Sequence, residues 1–117
     1  MKRCVVALAI LALAGCATYR MGQARDAGPI ATLESARLPV DMAQCVETTW
    51  QLESLFGTDA DAFTDRDGKG RFTVSNHAST YFADIEPNGR GSLVRFYGET
   101  RRGEAAQKRQ ATLATCL

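Results

Sequence analysis

Thr80-Tyr81-Phe82-Ala83-Asp84-Ile85-Glu86-Pro87-Asn88-Gly89-Arg90-Gly91-Ser92-Leu93-Val94-Arg95-Phe96-Tyr97 is the stretch whose reading decides the fold. Two alternating runs, Thr80 to Ile85 and Ser92 to Tyr97, flank Glu86 to Gly91, where Pro87 and the glycines after it supply turn chemistry. The pattern predicts a β-hairpin. Upstream, Phe72 and Val74 alternate with Arg71, Thr73 and Ser75, which adds a third strand and makes an antiparallel meander. Residues two apart share a side of a strand, so Phe72, Val74, Ala83, Ile85, Val94 and Phe96 form the expected inner face. Phe82, Asp84, Leu93, Arg95 and Tyr97 then share the outer one. A register slip of one residue would exchange the two faces.

On either side of the meander the apolar spacing becomes helical. Pro39 and a capping Asp41 precede Met42, Cys45, Val46, Thr49, Trp50 and Phe56, and Gly57 supplies a stop. Trp50 on this stripe reads as a core residue rather than a binding platform. After Gly98 and Gly103, helix formers run from Glu104, with Ala106, Arg109, Leu113, Cys116 and Leu117 on one side. That stripe has few large side chains, so burial alone would hold the helix weakly. The fold class expected is therefore α+β: a small single domain of helix, three-stranded antiparallel sheet and helix, with both helices on one face of the sheet.

The four cysteines divide by position. Cys4 falls in the apolar N-terminal run and Cys16 directly follows it, leaving Cys45 and Cys116 as an even pair in the body of the chain. A disulfide between them is expected, worth on the order of 4 kcal/mol by closing a long loop. Neither residue lies in a Cys-x-x-Cys arrangement, which argues against a redox role.

The N-terminus carries an address. Met1-Lys2-Arg3 is a cationic start, and the apolar run from Cys4 to Ala14 is about half the ~20 residues needed to span a bilayer. Leu13-Ala14-Gly15-Cys16 closely resembles the lipobox of bacterial lipoproteins, in which the Cys thiol takes a diacylglyceryl group before the signal is removed. The resemblance implies a signal peptide over 1–15, acylation (diacylglyceryl and palmitate) on Cys16, and a protein anchored to a membrane without spanning it. Ala17 replaces the Asp that retains such proteins at the inner membrane, so the implied location is the outer membrane, facing the periplasm. Residues 16–38, with Gly22, Gly28 and Pro29 and few large apolar side chains, read as a flexible tether holding the domain about 25 Å from the bilayer. A short helix from Ala31 to Arg37 is the alternative within it. The domain proper is then 39–117.

Net charge is +1 for the whole chain and slightly acidic without Lys2 and Arg3, which gives no footing for nucleic acid. Asp65-Arg66-Asp67-Gly68-Lys69-Gly70 begins like a calcium loop, but Lys69 stands where an oxygen ligand is needed and Asn76 where a Glu should close the site. A hairpin turn is the better reading. His77 is the one histidine; Ser75 and Ser79 are too close along the chain to make a triad with it, and the carboxylates lack an apolar setting that would separate acid from base. The sequence thus predicts a protein that is not an enzyme and uses no metal or cofactor.

What remains is binding. Phe82, Leu93, Arg95 and Tyr97 are the expected partner face, and an interaction or accessory module for an unidentified envelope protein is the expected function. The alternative is a ligand-binding or inhibitor module directed at an incoming hydrolase or a cell-wall component.

Overall fold

The computed structural model describes residues 19–117. A helix over 19–27 (α1) leads to strand β1, Ala31–Ser35, and helix α2, Pro39–Trp50. A four-residue helix α3, Glu53–Phe56, and a 3-10 turn, Gly57–Asp59, precede strands β2 (Phe63–Arg66), β3 (Phe72–Ser75), β4 (Tyr81–Asn88) and β5 (Gly91–Gly98), and helix α4, Glu104–Ala114, follows. The strands form one antiparallel sheet in the order β1-β5-β4-β3-β2.

The α+β class and the meander hold, and the sheet has five strands rather than three. The hairpin registers Ala83 against Phe96 and Ile85 against Val94, which puts the expected inner residues side by side. With Val74 they pack fully buried under Met42, Val46 and Trp50 of α2 and Leu113 of α4. Trp50 is a core residue: its ring meets Phe96 edge-on at 6.1 Å, and its Nε1 donates to the Arg109 carbonyl at 3.4 Å. Cys45 and Cys116 form the expected disulfide across a sequence separation of 71, with Cα atoms 5.8 Å apart, and pin the end of α4 to α2.

Four further expectations are corrected. The first helix stops at Trp50 instead of continuing to Phe56: the Gln51 backbone N–H makes the last helical bond, to the Glu47 carbonyl at 3.1 Å, Leu52 is extended, and the Gln51 side-chain amide donates to the Ala62 carbonyl at 2.8 Å. Leu117, placed on the buried stripe of α4, lies past the helix end and is exposed. The sheet is covered on both faces, with α2 and α4 on one and α1 on the other.

The fourth correction concerns the tether. Over 19–35 the chain is part of the fold: β1 pairs with β5 from Ala31↔Phe96 to Ser35↔Ser92, so 31–37 is not a helix, and α1 lies across the outer face. Neither element announces itself in sequence, because β1 alternates around a single large apolar residue, Leu33, and α1 is docked by a charge. Residues 1–15 and Cys16, the expected signal peptide and acylation site, lie outside the described residues.

Candidate functional site

Of the expected partner face, the structure divides Phe82, Leu93, Arg95 and Tyr97 into two pairs. Phe82 is fully buried and Tyr97 nearly so, stacked on each other with ring centroids 4.9 Å apart. The Arg25 guanidinium lies over the Phe82 ring at 4.9 Å from its centroid. These two aromatics are a second, smaller core beneath α1 and offer nothing to a partner. Burial, then the nearby Asp84 carboxylate, hold the Tyr97 phenol above its ordinary value.

Leu93 and Arg95 are half-buried and lie on the part of the same face that α1 does not cross. Arg95 is ion-paired with Glu86 across the hairpin. Directly opposite them on β1 stand Glu34 and Thr32, both exposed. The result is a narrow open strip, one aliphatic side chain among paired and unpaired charges, beside the edge strand β1. A strip of this kind on a rigid sheet suits protein contact better than chemistry.

The acidic segment is a turn. Asp67 Oδ1 accepts from the backbone N–H groups of Lys69 and Arg71 at 2.9 and 3.0 Å, and Oδ2 pairs with Arg71 Nε at 3.2 Å, which closes the β2–β3 hairpin. Those two N–H bonds hold the Asp67 carboxyl below its ordinary value. His77 is exposed, its backbone N–H donating to Asp61 Oδ2 at 2.9 Å and its ring lying against Phe63. Among the described residues, no three His, Cys, Asp or Glu side chains are grouped to hold a metal ion, and no helix is long and apolar enough to cross a membrane.

Sequence places Arg109 on the α4 stripe but does not show what surrounds its cation. Arg109 sits on the buried side of α4 with only 3% of its surface exposed, and its guanidinium stands among three rings, 4.6 Å from the Phe56 centroid, 5.2 Å from Trp50 and 5.6 Å from Tyr81. It forms part of the wall of a cleft of about 480 Å³ between α4, the 3-10 turn and the turn from β3 to β4. Asn76 fixes that last turn by accepting from the N–H groups of Thr80 and Tyr81. The signal was present in the sequence, an Arg at helical spacing among apolar positions, but helical spacing alone does not separate a buried cation from one that reaches back to water.

No protein family matches the chain, and no curated protein or solved structure is significantly similar to it.

Proposed function

We propose that the chain is a small lipid-anchored protein of the bacterial envelope, not an enzyme, that serves as an interaction or accessory module for another envelope protein. In this reading the signal 1–15 is removed, Cys16 carries the lipid, and the domain sits at the outer membrane facing the periplasm. The Cys45–Cys116 disulfide supports an oxidising compartment.

The observation that carries the reading is the open strip of Leu93, Arg95 and Glu86 beside β1, on a face whose other half is sealed by α1. The position of α1 adds a constraint. Cys16 precedes Tyr19 by three positions, so even a fully extended chain places the docked helix within about 10 Å of the lipidated residue. The domain is therefore held against the bilayer rather than hung from a long tether, and its partner is itself at the membrane.

Crosslinking and pull-down from native envelopes test this, comparing wild type with a Leu93→Asp, Arg95→Glu double variant. Both changes lie on the open strip and leave Phe82 and Tyr97 in place. One specific partner lost in the variant is the expected result; equal recovery from both would remove the strip as the docking site. Mass spectrometry of the N-terminal peptide is the separate control for the anchor, which an unmodified Cys16 would refute.

A second reading, a module that binds a small ligand, is favoured by one observation, the Arg109 cleft.

A further inference from the structure

Resting on that second reading, the chemistry of the cleft can be specified. Among the described residues, Arg109 Nη2 donates to the Asp59 carbonyl at 2.9 Å, Nη1 has no acceptor, and no carboxylate lies within ion-pair distance of the guanidinium. An arginine does not shed its proton to escape this situation. Burial pulls its pKa down, against the pull of Asp61 and Asp59, so the charge is retained in unfavourable surroundings. The rings of Phe56, Trp50 and Tyr81 offer their negative faces to the cation, but a ring face does not replace an acceptor for an in-plane N–H. Lys108 adds a second cation to the same cleft, its Nζ 5.4 Å from the Phe56 centroid.

The complement to two cations with a spare donor is an anion, and the rest of the wall limits which. Asp59 and Glu104 also line the cleft, which disfavours a dianion such as a phosphate monoester. Phe56 and Tyr81 supply flat apolar walls. We propose that this cleft binds a monocarboxylate bearing an apolar or aromatic group, the chemistry shared by an N-acylated amino acid and the free C-terminus of a short peptide, with Arg109 and Lys108 as the carboxylate-binding residues.

Nη1 is buried beneath the cleft wall, so entry requires a wall to move. Phe56 belongs to α3, a four-residue helix with no buried residue, which makes it the movable wall. Its displacement brings Nη1 to the carboxylate while α4 stays fixed by the disulfide.

The test uses the full lipidated chain in nonionic micelles, titrated with N-acetylphenylalanine, with its C-terminal amide, and with a pentapeptide ending in free phenylalanine. Binding is read from Trp50 fluorescence and from the Arg109 side-chain NMR signals. Saturable binding of the acid in the millimolar range or tighter is expected, with the amide weaker by about tenfold or more, the loss expected from one charged hydrogen bond. Binding of the peptide alone would place the ligand at a chain end, whereas equal binding of both acids would make the free acid sufficient; either supports the carboxylate site. Acid and amide saturating alike, or none of the three ligands saturating, would overturn it. Ala105→Trp, at an exposed position of α4 that lines the cleft, should abolish binding without lowering the melting temperature. Undiminished acid binding in that variant would also overturn the site. A failed pull-down from envelopes leaves these titrations unaffected, so the two readings fail separately.

Discussion

Arg25 of α1 donates two parallel hydrogen bonds to Asp84 of β4, Nε to Oδ2 and Nη2 to Oδ1, both at 2.8 Å. Asp84 is only 4% exposed and accepts a further bond from Thr73 Oγ1 at 2.7 Å. The pair with Asp84 raises the Arg25 pKa further, against the opposing effect of burial. The ion pair, with the guanidinium resting on Phe82, fastens α1 to the sheet where an apolar stripe would ordinarily do so.

Arg25→Ala should therefore strand a buried carboxylate with one hydroxyl partner. Removing one member of a buried pair costs about 3–5 kcal/mol, and because the Arg25 side chain is 31% exposed we expect about 2–3 kcal/mol here. Urea denaturation measures the loss, and amide exchange should rise across 19–27 while the α2–α4 core stays protected. An unchanged midpoint would mean that α1 is held by packing alone.

The same pair explains how far the sequence could be read. The meander, its inner face, the core role of Trp50 and the Cys45–Cys116 bond follow from local periodicity and cysteine arithmetic, and they are as expected. Elements held by non-local, singular interactions are invisible to periodicity: α1 depends on a partner 59 positions away, and β1 on a neighbour it meets only in the folded sheet. The partner face failed in part for this reason. Phe82 and Tyr97 were on the predicted side of the sheet, but nothing local indicated that α1 would cover them. Helical spacing likewise places Arg109 on the correct helix face, and only the fold shows that, among the described residues, no carboxylate comes within ion-pair distance of its cation.

Cys45→Ser or Cys116→Ser should lower stability by roughly 4 kcal/mol, because the bond closes a loop of 71 residues in the unfolded chain. The α4 stripe supplies only Ala106, Arg109 and Leu113 as buried residues within the helix, so the loss should fall first on α4. Circular dichroism and amide exchange under reducing and oxidising conditions would show this as early exchange of 104–114. Wild-type protein treated with reductant should match the Ser variants; if it unfolded no more readily than the oxidised form, the bond would be dispensable.

Gly91 opens β5 where β1 ends. A Cβ at this position would stand 2.0 Å from the Ser35 carbonyl oxygen and 3.0 Å from the Ala36 Cα, both backbone atoms that no side-chain rotation can clear. Gly91→Ala should push the end of β1 off the sheet and cost about 1–3 kcal/mol, the range for overpacking. The neighbouring bond from Ser92 Oγ to the Arg37 carbonyl, at 2.6 Å, should go with it. Exchange at 31–35 is the direct readout, and a variant with β1 as protected as in wild type would show that the strand can shift without loss.

Tyr97 makes stability depend on alkaline pH. Its folded pKa is raised above the ordinary 10.0, first by burial and then by Asp84. As pH passes that ordinary value, the unfolded chain releases the phenol proton while the folded protein keeps it, so the unfolded state binds fewer protons and stability falls. The contribution is fully present below about 10 and is lost as pH rises through the folded value. Tyr97→Phe keeps the stack on Phe82 and removes the titrating hydroxyl, so it should match wild type at neutral pH and lose less stability on the alkaline side. Urea midpoints for the two proteins across this range decide the matter. Parallel decline would assign the alkaline loss to other groups and show that Tyr97 ionises in the folded protein as readily as in the unfolded chain.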